Sequence, residues 1–232
     1  MMPSHKKIPA RSALWRRLRN GLAVAAGAMA SASAMAGFIT LNEASMDSIF
    51  SQASFGANSI DIRFNAPLTL VKPNLLSVDN WFEFDELKTL AVPGSKTVSM
   101  FFADNISWCG DNGPNYVGCA ATPGQVLVLK SSTAANPTLG GVLAAHELAH
   151  NLGLEHVSSS GNLLNPVLTG SSFLSQAQVS SLLSSSLIQF DGAQRFIAIT
   201  PIALVAQVPE PASWALLGLG VLALGWRRRA RA

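Results

Sequence analysis

The sequence predicts an α+β domain with a twisted mixed sheet, one long apolar helix, and a mostly irregular or helical C-terminal part. Three observations carry this. Residues 60–64, 97–103 and 125–130 read as strands, and all precede the helix. Residues 139–152 form an apolar helical run that ends at Gly153, where a left-handed stop is expected. Beyond it, serine-rich turns and a second helical pattern over 174–187 dominate.

Taken in order, residues 44–54 are weakly helical. Residues 60–64 alternate, with Asp61 and Arg63 opposing Ile60, Ile62 and Phe64, which is the period of a half-buried strand. Residues 79–90 suit a helix with Phe82, Leu87 and Leu90 available for a buried stripe. Residues 97–103 are apolar and strand-like. The run 125–130 is a strand bounded by Pro123-Gly124 and by serines. A last strand is open over 195–205.

The two ends read as addresses flanking a single domain. Residues 1–36 combine a basic start (Lys6, Lys7, Arg11, Arg16, Arg17, Arg19), a short run of small and apolar residues, and Ala34-Met35-Ala36. This is the pattern of a signal peptide. The apolar run is shorter than the roughly 20 residues a bilayer span needs. The expected mature domain is 37–207. Residues 208–232 hold Pro209-Glu210-Pro211, an apolar stretch, and Arg227, Arg228, Arg229 and Arg231. A short transmembrane helix serving as a C-terminal anchor is one reading, with the arginines on the cytoplasmic side. The ordered triplet of box, stretch and arginine cluster also resembles the PEP-CTERM sorting tail of Gram-negative bacteria. That resemblance implies an exosortase-type sorting enzyme as partner, transient membrane insertion of the tail, and export to the cell envelope, outer surface or exterior.

Removing the ends reverses the charge. The whole chain is +3, but 37–207 holds six basic and twelve acidic side chains, a net charge of −6. An acidic domain gives no reason to expect nucleic acid as a partner. Cys109 and Cys119 are the only cysteines and enclose a loop with Gly110, Gly113, Pro114 and Gly118. In an exported chain they are expected to pair, with two reduced thiols as the alternative. The bond would pin a loop at the rim of a cleft and stabilise by about 2–3 kcal/mol.

Residues 146–156 read HELAHNLGLEH and fit HExxHxxGxxH at His146, Glu147, His150, Gly153 and His156. The chain has four histidines, and the fourth, His5, lies in the leader. On a helix, His146 and His150 share one face, about 40° apart around the axis. Both can reach one zinc ion at about 2.0–2.1 Å. Gly153 allows positive φ at little cost, and the resulting turn brings back His156 as third ligand. An uninterrupted helix would carry His156 about 15 Å along the axis from His146. Three protein ligands leave a position open for water, the mark of a catalytic site. Glu147 is placed to take a proton from a water whose pKa the ion lowers from about 15.7 towards 7, and to deliver it to a leaving amine. The competing reading is a core helix carrying hydrogen-bonded histidines.

With these residues the chain resembles the metzincin clan of zinc metallopeptidases, in a matrixin-like or pappalysin-like form. The resemblance implies an upper subdomain whose edge strand aligns an extended peptide or protein substrate, with 125–130 that strand or its neighbour. It also implies a tight turn beneath the zinc, and Asn162-Leu163-Leu164-Asn165-Pro166 looks like that turn. Leu164 stands where the clan has methionine, a nearly volume-conserving change costing under about 1.5 kcal/mol. The only tyrosine, Tyr116, lies before the motif, unlike the branches that place one after the turn. The functional expectation is an exported zinc-dependent endopeptidase. The alternative is a non-catalytic envelope or matrix-associated protein that retains a zinc-binding scaffold.

Overall fold

The computed structural model describes residues 37–94, 96–111, 113 and 116–206. The expected signal peptide, Pro209, Glu210, Pro211, the apolar stretch and the arginine cluster lie outside the described residues. Among the described residues no helix is long and apolar enough to cross a membrane.

The chain begins with helix α1 (Glu43–Phe50) and a 3-10 turn (Ala53–Phe55), then strands β1 (Ile60–Phe64), β2 (Leu68–Val71) and β3 (Ser77–Val78). Helix α2 (Trp81–Thr89) leads to β4 (Thr97–Ala103), β5 (Asn105–Ile106), β6 (Gly118–Ala120) and β7 (Val126–Lys130). Three helices follow: α3 (Ser131–Ala134), α4 (Gly140–Asn151) and α5 (Gln176–Leu183). Strands β8 (Gln189–Asp191) and β9 (Gln194–Val205) close the described chain.

The main sheet is mixed, in the order β1-β9-β4-β7-β6. Strand β9 runs parallel to β1, β2 and β4, and β4 runs parallel to β7. The edge strand β6 is antiparallel to β7. Strands alternate their apolar side chains between the two faces, as period two requires. Val98, Met100, Phe102, Leu127, Leu129, Ile197 and Ile199 pack with α1, α4 and α5 on one face. Phe101, Ala103, Val126, Val128, Ile202 and Leu204 pack on the other with Phe84 and Leu87 of α2.

The C-terminal part therefore differs from the mostly irregular or helical subdomain expected. The last strand open over 195–205 is present as β9, twelve residues long, and it lies inside the sheet between β1 and β4. Pro201 obscures this in the sequence, since proline supplies no ladder donor and argues against a central strand. The register removes the conflict. Ile199 O accepts from Asn65 N at 2.8 Å and Val205 O from Lys72 N at 3.0 Å, so odd-numbered residues of β9 turn their backbone polar groups towards β1 and β2. Pro201 thus faces the break between β1, which ends at Phe64, and β2, which starts at Leu68. The two ends of the described chain also meet, with Gly37 N donating to Leu204 O at 2.7 Å.

Two helices also differ from expectation. In α2, Phe84 is 5% exposed and Leu87 fully buried, whereas Phe82 is 79% exposed. Asn80 caps the helix by accepting from Glu83 N, and this start turns Phe84 rather than Phe82 towards the sheet. Helix α5 is shorter than 174–187. A capping box between Ser175 and Gln178 starts it, and it ends at Ser184, where the serine hydroxyl bonds back to Ser181 O.

Phe84 packs against Trp108 with ring centroids 5.8 Å apart. Phe84→Ala is expected to cost about 3–5 kcal/mol in urea unfolding, by loss of burial and creation of a cavity. Phe82→Ala should stay within about 0.5 kcal/mol of wild type. Equal losses would contradict this assignment of the buried face.

Candidate metal centre

All twelve residues of α4 are buried between the sheet and α1, so the motif helix is a core element. It ends in a left-handed glycine stop. Gly153, at φ +99°, donates to His150 O, and Leu154 N donates to Ala149 O at 3.0 Å. These are the two bonds of a Schellman motif. The chain reverses there, and Leu154 O is left beside the ring of His150, accepting from Nδ1 at 2.6 Å. His146 Nδ1 makes the matching bond to Leu163 O at 2.7 Å.

Those two carbonyls decide the tautomers. A carbonyl oxygen only accepts, so Nδ1 carries the proton in both rings and Nε2 presents a lone pair. The Nε2 atoms of His146, His150 and His156 lie 3.1–3.2 Å from one another. Between neutral His146 and His150 this approach cannot be a hydrogen bond, because neither Nε2 has a proton to give. Two lone pairs at that distance repel unless a cation lies between them. Four-coordinate zinc with Zn–N of about 2.0–2.1 Å separates its nitrogen ligands by about 3.3 Å. The three histidines fit such an ion closely, and they are the one His/Cys/Asp/Glu cluster of metal-binding geometry among the described residues.

The turn after His156 is held by its own network. Val157 N donates to Leu164 O at 3.0 Å, and Leu164 N donates to the Asn162 side chain at 2.9 Å. Asn162 and Gln178 exchange two amide hydrogen bonds, at 2.8 and 3.0 Å. The residue that completes the α5 capping box thereby also fixes the turn that offers Leu163 O to His146. Leu164 is fully buried in the core cluster that includes Leu148 and Ala149.

A cleft of about 910 Å³ is lined by the three histidines and Glu147, by Gly118 and Ala120 of β6, by Cys109 and Tyr116, and by Pro166, Val167 and Leu168. Cys109 and Cys119 are disulfide-bonded, so the expected pin lies at the cleft. Tyr116 donates its hydroxyl to Asp111 across the closed loop. At the C-terminal end of α4, Asn151 donates to Ala121 O and Val126 O at 2.9 and 3.0 Å, clamping the β6–β7 hairpin to the helix. Strand β7 is the neighbour of edge strand β6, one of the two places expected for 125–130.

His146, Glu147, His150, Gly153 and His156 are thus brought together as the motif implies. The sequence gives no reason to expect a role at this site for Gly118, Asn151 or Gln178. Asn151 and Gln178 follow no pattern tied to the motif, and the sole signal for Gly118 is its place beside Cys119.

Burial dominates the electrostatics. It pushes His146 down to about 4, with His150 as the second cause, and lowers His150 as well. Glu147, 6% exposed, is pushed up to about 8 by burial. In the metal-free protein the two histidines bind fewer protons than the unfolded chain below their ordinary value of 6.5. Their contribution to stability is complete above pH 6.5 and falls away as pH drops towards 4. Glu147 acts in the opposite sense. Its contribution is complete below 4.5 and is lost as pH rises through 8. Thermal unfolding of chelator-treated protein should therefore show greatest stability near pH 6, declining on both sides. A midpoint still rising from pH 6.5 to 8 would contradict this reading of Glu147.

The comparisons address the tail. The PEP-CTERM protein-sorting motif matches residues 207–229. It implies recognition by an exosortase-type sorting enzyme and a secreted, envelope-directed protein of a Gram-negative bacterium. No curated protein and no solved structure matches the chain.

Proposed function

We propose that the domain is an exported zinc-dependent endopeptidase of metzincin kind. Convergence of three histidine Nε2 atoms, two of them held as lone pairs, in the cleft that also holds the buried carboxylate of Glu147 carries this reading. His146, His150 and His156 hold the ion. Bound zinc supplies Lewis acidity, lowering the pKa of a water and polarising a carbonyl. The chain's own residues do the rest. Leu154 O and Leu163 O keep two rings in the liganding tautomer. Glu147 takes the proton released by the attacking water on a carboxylate oxygen and passes it to the amine nitrogen as the C–N bond breaks. Among the described residues strand β6 is the end strand of the sheet, and it lines the cleft, so an extended peptide can pair with it.

Leu164 favours the competing reading of a metal-binding protein without catalysis. Its complete burial in the core beneath the motif helix supports an intact site instead.

The purified exported form should bind one zinc per chain and cleave casein, with activity abolished by chelator and restored by zinc. Glu147→Gln should retain zinc and lose about 10²–10⁴-fold in cleavage rate. His150→Ala should lose the metal. Stoichiometric zinc without cleavage of any peptide library would favour the non-catalytic scaffold, and undiminished cleavage by Glu147→Gln would end the proposed mechanism.

A further inference from the structure

Glu147 has no hydrogen-bond partner among the described contacts, yet it is nearly buried on a helix with no exposed residue. Its position is set by shape. Gly118 in edge strand β6 supplies that shape. A Cβ at Gly118 would lie 2.7 Å from both Cγ and Cδ of Glu147, and closer still to Oε1. The overlap spans three atoms of the side chain, so moving the carboxylate tip alone would not relieve it.

Gly118 does not owe its identity to its backbone. Its φ is outside the left-handed region, and it sits in regular antiparallel pairing opposite Leu129. Any residue could adopt that conformation. The strand cannot retreat either, because Cys119, the next residue, is tied to Cys109, and Asn151 holds the hairpin against the helix. We propose that Gly118 is the positioning residue for Glu147: the bare Cα of the edge strand forms the wall against which the carboxylate rests, and a single methyl group there displaces it. The inference deepens the peptidase reading and rests on it for its kinetic consequence. The contact itself does not.

A double-mutant cycle on stability tests the contact without any metal or substrate. Gly118→Ala should lower the melting temperature in the chelator-treated wild type and leave it unchanged or raised in the Glu147→Ala background, where the methyl group fills the vacated space. A second arm tests the consequence. Gly118→Ala leaves the three histidines untouched, so it should keep one zinc per chain and an unaltered KM while kcat falls about 10²-fold, the scale of a misplacement near 1 Å. Equal destabilisation in both backgrounds would overturn the contact. Coupled stability with wild-type kcat would overturn the positioning role. Coupled stability in a protein that cleaves nothing would uphold the contact and remove the peptidase reading alone.

Discussion

Two backbone carbonyls hold this site together. Leu154 O and Leu163 O each take the Nδ1 proton of a histidine, and so oblige the opposite nitrogens to face one another as lone pairs. A fold that brings three imidazoles this close, two of them buried with no proton between them, has built a repulsive arrangement. Burial sharpens it, since it prevents the rings from relieving the repulsion by taking up protons. A divalent cation converts the same arrangement into an attractive one. The motif helix, the glycine stop and the turn at Asn162 all serve this convergence.

The support reaches well beyond the ligands. Gln178 starts α5, grips Asn162, and through it the turn that carries Leu163. Asn151 fixes the β6–β7 hairpin to the end of α4. The disulfide closes the loop that leads into β6. Each link joins an element of the sheet or of the C-terminal part to the motif helix. The three histidines and the edge strand are therefore held in one frame, which the proposed cleavage of an aligned peptide would require.

Much of the site was legible in the sequence because its chemistry is local. Eleven consecutive residues contain the three histidines, the carboxylate and the glycine that turns the chain, and their spacing alone dictates convergence. Strands β1 and β4 were equally plain, since their alternation or apolar run is unbroken. What the sequence concealed is non-local. The central place of β9 depends on Pro201 meeting a gap between two other strands, and no pattern within 194–205 reveals that gap. Phe82 and Phe84 are both aromatic and two apart, so which one is buried depends on where Asn80 starts the helix. The role of Gly118 emerges only when the edge strand is laid against Glu147.

The most direct test is X-ray absorption at the zinc edge on the purified, zinc-loaded protein. The account predicts one zinc per chain with three imidazole nitrogens and one further light-atom ligand at about 2.0–2.1 Å. A spectrum fitted by fewer than three imidazoles, or protein that stays zinc-free after reconstitution while remaining folded, would contradict it.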